Sequence, residues 1–103
     1  MEKEVSGIIV NNKDNVCTLV EPASKGTIVN CRNAYDLKGE IKIRAKEDIP
    51  IFHKMAIKKI AINTEVIKYG QVIGIAKKDI YKGEYVHIHN VDSKRVQGDI
   101  IGN

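Results

Sequence analysis

The stretch IPIFHKMAI, residues 49–57, decides the reading of the fold. Ile49, Ile51, Met55 and Ile57 alternate with Pro50, Phe52, Lys54 and Ala56, a period of two that predicts a half-buried strand. On that parity His53 falls on the inward face and Lys54 on the opposite one. Segments 5–10, 15–20, 27–31, 40–44, 65–69, 71–75 and 85–89 are similar short runs rich in Val, Ile, Thr and Tyr. No window sustains a helical stripe over three turns, although a short helical turn near 55–61 stays open. The expected fold is mostly β.

The turns between these runs recur weakly. SKGTIV (24–29), LKGEIKI (37–43) and YKGEYVHI (81–88) each place Lys-Gly before a polar residue and a new strand. AINTEVIKY (61–69) is a fourth variant with Asn63 in the glycine position. Gly and Asn both tolerate the left-handed backbone of a tight turn, so the exchange makes geometric sense. The uneven spacing predicts a compact barrel-like or clip-like β domain over 1–92 and not a solenoid. The polar, glycine-bearing stretch 93–103 reads as a C-terminal tail.

A chain of 103 residues is one domain with no room for a second independent core. Its short apolar runs exclude a membrane-spanning helix. MEKEVSG at the start lacks the apolar region of a secretory signal, and the two cysteines, Cys17 and Cys31, then read as free thiols. A cytoplasmic address follows as the expectation. Residues 1–52 carry eight basic and eight acidic side chains, whereas 53–103 carry nine basic and five acidic. The whole net charge of +4 therefore lies in the half that holds all three histidines. Such a surface suits an anion. Nucleic acid is disfavoured as that anion, since four tyrosines, one phenylalanine and no tryptophan make a thin stacking platform.

The histidines carry the chemistry. In YVHIHN (85–90) a strand would project His87 and His89 from one face and turn Val86 and Ile88 to the core. That pair is either a solvated strand face or two ligands of a metal or substrate. Two ligands do not complete a metal site, so a further one would come from His53, from a carboxylate such as Asp14, or from another chain. His53 is either a buried histidine bonded to backbone or one at a pocket floor, beside Lys54. IKYGQVIGIAKKDI (67–80) carries Gly70 and Gly74, but it is not a dinucleotide fingerprint and reads as turns bracketing a strand.

Together, DNVCTLV, IPIFHKMAI, VIKYGQVIGIA and DIYKGEYVHIHN resemble the small subunit of altronate dehydratase, the SAF-type N-terminal domain of the altronate and galactarate dehydratases. The resemblance spans about residues 5–92. It departs from the family pattern at Phe52, where the family has Gly before the His-Lys pair. It implies a β-clip fold, a sugar-acid substrate, and a partner in the form of a separate large catalytic subunit. It further implies elimination of water to a 2-keto-3-deoxy acid, with Fe²⁺ or Mn²⁺ held mainly by, or shared with, that large subunit. Carried onto this chain, it makes His53, His87 and His89 the catalytic candidates, with His87 and His89 also the candidate metal ligands. Lys54, Lys68, Tyr69 and Asn90 become the substrate-binding candidates, and Asp14 and Asn15 a turn or polar contact. A sulfo-lyase subunit acting on a sulfonated hydroxy acid, and a non-catalytic sugar-acid-binding or assembly module, are the alternatives.

Overall fold

A computed structural model of the chain describes residues 3–36 and 39–93. Most of the expected tail, 94–103, lies outside the described residues. All regular elements within them are strands: β1 (Glu4–Ile9), β2 (Val16–Leu19), β3 (Ile28–Asn33), β4 (Glu40–Arg44), β5 (Lys54–Ala56), β6 (Glu65–Lys68), β7 (Gln71–Ala76), β8 (Tyr85–Val86) and β9 (Val91–Asp92). The short helical turn left open near 55–61 is absent: β5 ends at Ala56 and Ile60 bridges Ile80. No helix among the described residues is long and apolar enough to cross a membrane.

One sheet runs β4-β3-β1-β2-β5-β8 and a smaller one β6-β7-β9. All pairings are antiparallel except β1 with β3, which run parallel from Glu4↔Ile28 to Ile9↔Asn33. Along β1 the alternation is clean: Val5, Gly7 and Ile9 are buried. The β2–β5 pair departs from alternation because it is covered on both faces. Cys17 and Met55, opposite one another, belong to a core built with Val5, Leu19, Val29 and Ile43. Val16 and Ala56, the adjacent pair, belong to a second core with Ile60, Val66, Ile80 and Val86. The two cores share this pair as a wall, which makes them one folding unit. Each fully buried aliphatic side chain adds about 1.5–3 kcal/mol, so β2 and β5 hold the molecule together.

Turn chemistry sets the path between strands. Gly26 and Gly83 both have φ of 92° and Asn63 has φ of 70°, so three of the four recurring turns use the left-handed backbone that Gly and Asn favour. The fourth begins at 37–38, outside the described residues.

Gly7 has a different reason to be glycine. A Cβ there would overlap the Cys17 Sγ and sit 3.3 Å from the Thr18 carbonyl oxygen. Cys17 and Cys31 are buried free thiols. A hydrogen bond with Cys31 and then burial push the Cys17 thiol well above its ordinary pKa, which leaves it protonated and unreactive. Gly7→Ala overpacks this spot and is expected to cost about 1–3 kcal/mol in urea denaturation. An unchanged midpoint would mean that the thiols yield freely.

The structure corrects the opening stretch. Residues 49–57 are not one strand: Ile49 pairs with Ala23 in an isolated bridge, and 51–52 form a turn. Only Lys54–Ala56 continue as strand. Phe52 takes φ of 67° in this turn and Ile51 is exposed, while Ile49 and Met55 stay buried. YVHIHN is corrected likewise, because β8 stops at Val86 and 87–90 are a turn. Ile88 is 74% exposed, against its expected place in the core.

Candidate functional site

The two corrected turns meet. The β5–β8 register sets Tyr85 opposite Met55, which makes it a diagonal neighbour of His53 two residues earlier. Tyr85 Oη lies 2.6 Å from His53 Nδ1. The His53 and His87 rings have centroids 4.8 Å apart. His87 stacks on Tyr85 at 5.4 Å with only 7° between planes, and His89 sits 5.4 Å from the same ring at a tilt. Three imidazoles thus surround one phenol, and they gather through a turn and not through strand alternation.

The histidine turn is tied by Asn90, which is 3% exposed. Its Oδ1 accepts the His87 backbone N–H at 2.9 Å, and its Nδ2 donates to the Tyr85 carbonyl at 2.8 Å. The His87 carbonyl accepts from the N–H groups of Asn90 and Val91. Every polar end of the Asn90 amide is thereby engaged by backbone.

Beside this turn lies a pocket of about 190 Å³ lined by Lys54, Ile73, His87, Ile88, Val91 and Ser93. Lys54 pairs with Val86 and so faces the second core, half-buried. Burial, and then the nearby charge of Lys68, lower its ammonium pKa from the ordinary value. Burial also lowers the His87 pKa, with further contributions from the charges of His53, Lys54 and His89. Among the described residues the pocket lining holds no carboxylate. An anion is what such a place lacks.

The depressed His87 pKa has a pH consequence. Below the ordinary imidazole value of about 6.5 the unfolded chain takes up a proton that folded His87 resists, so stability falls as pH drops through that window. His87→Gln removes this share. Comparing urea midpoints at roughly pH 7.5 and 5.5, the acid-induced loss is expected to be smaller in the variant. An equal loss in both would assign the acid sensitivity to other groups.

The remaining candidates are placed as follows. Lys68 lies close enough to act on Lys54, and its Nζ lies 4.7 Å over the Tyr69 ring. Tyr69 is 51% exposed in a left-handed hairpin position, φ 59°, outside the pocket lining. Asp14 and Asn15 are buried clasps on the β6–β7 hairpin. Asp14 Oδ1 accepts from Gly70 N–H at 2.7 Å, while Asn15 bonds the backbone of Ile67 and Glu65. Sequence reasoning missed the apolar lining, Ile73 and Val91, and it missed Tyr85. The signal for Tyr85 was its place at two and four residues before the histidines.

Phe52 stands where glycine is favoured, with 67% of its surface exposed. A non-glycine residue in this conformation costs roughly 1–2 kcal/mol. Phe52→Gly is therefore expected to raise stability by up to about 1 kcal/mol, after the entropy of an added glycine is allowed for. Thermal melting checks it, and a lower Tm would show that the ring packs usefully.

Iron or manganese would need more than this chain's described residues offer. No group of three His, Cys, Asp or Glu side chains among them lies close enough to hold a metal ion. His53 already has Nδ1 engaged by Tyr85. His87 and His89 therefore do not fit a complete metal centre by themselves.

Comparison with known proteins adds to this geometry. Residues 5–94 match the family model described as the altronate/galactarate dehydratase SAF domain. The chain is 36% identical to an altronate dehydratase of Bacillus subtilis over 85 residues, 82% of this chain and 16% of that protein. It is 35% identical over 83 residues to an altronate dehydratase of Escherichia coli, covering 15% of it. It is 46% identical over 55 residues to the (2R)-sulfolactate sulfo-lyase subunit alpha of Chromohalobacter salexigens, 53% of this chain and 58% of that subunit. The match thus covers about a sixth of the dehydratases and little more than half of that subunit.

Proposed function

The chain belongs to the altronate/galactarate dehydratase SAF-domain family, and on that premise we propose that it is the small subunit of a lyase acting on a hydroxy-acid anion. A separate large subunit completes the site. The observation that carries the reading is the pocket lined by Lys54 and His87, with no carboxylate among its described lining residues, beside the imidazole cluster and with Lys68 close enough to act on Lys54. The Lys54 ammonium holds the substrate carboxylate, and Lys68 adds charge behind it. Ile73, Ile88 and Val91 supply the apolar part of the lining.

The reaction is a β-elimination. A base removes the proton from the carbon next to the carboxylate, and its electron pair forms the C2–C3 double bond. The C3–oxygen bond breaks, and the departing hydroxide takes a proton and leaves as water. The enol then becomes the 2-keto-3-deoxy acid. His53 is assigned the acid role, as an imidazole able to give a proton to the departing oxygen. The described lining residues include no carboxylate, and the base is assigned to the large subunit. Asn90, with its amide engaged by backbone, acts by holding the histidine turn. Because the described residues do not complete a metal centre, no step is assigned to a metal.

The likeness to sulfo-lyase subunits favours a second leaving group. Sulfite could depart from C3 by the same electron movement. The test is to co-express the chain with its candidate large subunit and assay the purified complex, with Fe²⁺ or Mn²⁺, on altronate, galactarate and sulfolactate. Keto acid without sulfite supports the dehydratase reading, and sulfite release supports the sulfo-lyase. Sugar-acid binding by the chain alone, with no turnover in any complex, would overturn both in favour of a non-catalytic binding or assembly module.

A further inference from the structure

Tyr85 touches all three histidines. Its own backbone is held at both ends: the N–H donates to Glu47 Oε2 at 3.0 Å, and the carbonyl accepts from Asn90 Nδ2. The phenol therefore cannot drift without disturbing β8 and the histidine turn together. A ring so fixed is a template on which the imidazoles are arranged.

The 2.6 Å contact with His53 carries chemical information. Among the described residues the Tyr85 hydroxyl has His53 Nδ1 as its hydrogen-bond partner and no other. Either the hydroxyl donates to Nδ1, or a neutral imidazole protonated at Nδ1 donates to the hydroxyl oxygen. A neutral imidazole that accepts at Nδ1 carries its own proton at Nε2. When His53 is protonated, both nitrogens carry protons, and the hydroxyl turns to accept from Nδ1. A hydroxyl can do either, whereas a carboxylate in its place could only accept.

We propose that Tyr85 is a positioning residue that makes His53 a hydrogen-bond donor at Nε2 in both of its charge states. His53 then presents N–H to an oxygen of the ligand. It does not present the lone pair that a general base or a metal ligand would need at that atom. The assignment of His53 to the acid side rests on the lyase reading above. The tautomer is proposed from the Tyr85–His53 contact without reference to the reaction, so the two can fail separately. Tyr85 further holds His87 by a nearly parallel stack, which keeps that ring on the border between the cluster and the pocket.

The test uses the ¹⁵N-labelled chain at about pH 8.5, well above the ordinary imidazole pKa of about 6.5. Long-range ¹H–¹⁵N correlation spectra identify which nitrogen of each histidine is protonated. The wild type is expected to show His53 protonated at Nε2, with an Nδ1 resonance shifted as for a hydrogen-bonded acceptor. Tyr85→Phe keeps the ring and removes the hydroxyl, so the His53 Nδ1 resonance should move while His87 and His89 keep theirs. Tyr85→Leu removes the ring as well, and the His87 and His89 ring protons should then lose their ring-current shifts. A wild-type His53 protonated at Nδ1, or a Nδ1 resonance unmoved by Tyr85→Phe, would overturn the proposal. In the assembled lyase, Tyr85→Phe should lower kcat with KM little changed, whereas a merely structural role would leave both near wild type once the protein is folded. Correct tautomers together with an inactive complex would leave the positioning role in place and remove the lyase reading.

Discussion

Asn90→Ala is expected to destabilise the chain by about 2–4 kcal/mol, the largest single loss at the candidate site. Two hydrogen bonds disappear with the side chain, and both lost partners are backbone groups in a part-buried setting: the His87 N–H and the Tyr85 carbonyl. A polar group left without a partner in such a place costs about 1–3 kcal/mol, more than the net worth of the bond it once made. The loss should be local as well as global. The turn at 87–90 fixes His87 against Tyr85 and starts β9, whose Val91 packs on the second core. Urea denaturation gives the energy, and amide exchange shows where it falls. Fast exchange confined to 85–92 marks a turn that opens alone, whereas uniform acceleration marks a turn that anchors the whole fold. Asn90→Asp separates the two bonds, because a carboxylate can still accept from His87 N–H and cannot donate to Tyr85. It should recover about half of the lost stability. No loss in the alanine variant would show that water replaces both bonds at little cost.

The period-two pattern and the turn residues made most of this fold legible. The runs at 40–44, 65–69 and 71–75 match strands to within a residue, because one-sided burial leaves its mark in alternation. Gly26, Asn63 and Gly83 announced left-handed turns for reasons of sterics that hold in any context. The errors lie where local rules conflict. Phe52 gives no sign in its chemistry that it takes a left-handed φ, so 49–57 looked like one continuous strand and is not. The only hint was that the family pattern places Gly there. His87 and His89 sat two apart, as a strand requires, but Asn90 supplies the side-chain bonds that curl the chain into a turn instead. The candidate site was legible in part for the same reason. Residue type alone pointed to His53, Lys54 and His87, which the structure brings together, and also to Asp14 and Asn15, which it employs as hairpin clasps. Only long-range pairing separates these two groups. Tyr85 depends on the register of β8 against β5, a relation between residues about thirty apart that no local pattern contains.

Lys54→Met should weaken hydroxy-acid binding roughly 10–100-fold while leaving the fold as stable as before or more so, an opposition that only a ligand-binding lysine produces. A charge-assisted bond to a carboxylate contributes about 1.5–3 kcal/mol, and each 1.4 kcal/mol is a factor of ten in affinity. In the free chain the same ammonium is a liability. It is half-buried and borders the second core, and Lys68 adds a like charge, which together lower its pKa. A lysine whose folded pKa lies below its unfolded value binds its proton less tightly when folded, so its charge opposes folding at neutral pH. Methionine keeps the length and the apolar stem and removes the charge, so the second core gains packing and the repulsion from Lys68 ends. Titration calorimetry or KM in the assembled complex measures the first effect, and thermal melting of the chain alone measures the second. Lower affinity with unchanged or raised Tm places Lys54 on the anion. Lower Tm with unchanged affinity would make it a structural stem and shift the anion toward Lys68, where Lys68→Met would then carry the loss. The salt dependence gives an independent check. Pairing with an anion in a site open to solvent weakens as salt screens it, so the wild-type affinity should fall with ionic strength and the methionine variant's fall less. A destabilising charge kept at a pocket wall, with no carboxylate among the described lining residues to neutralise it, is best explained by a partner that arrives with the substrate.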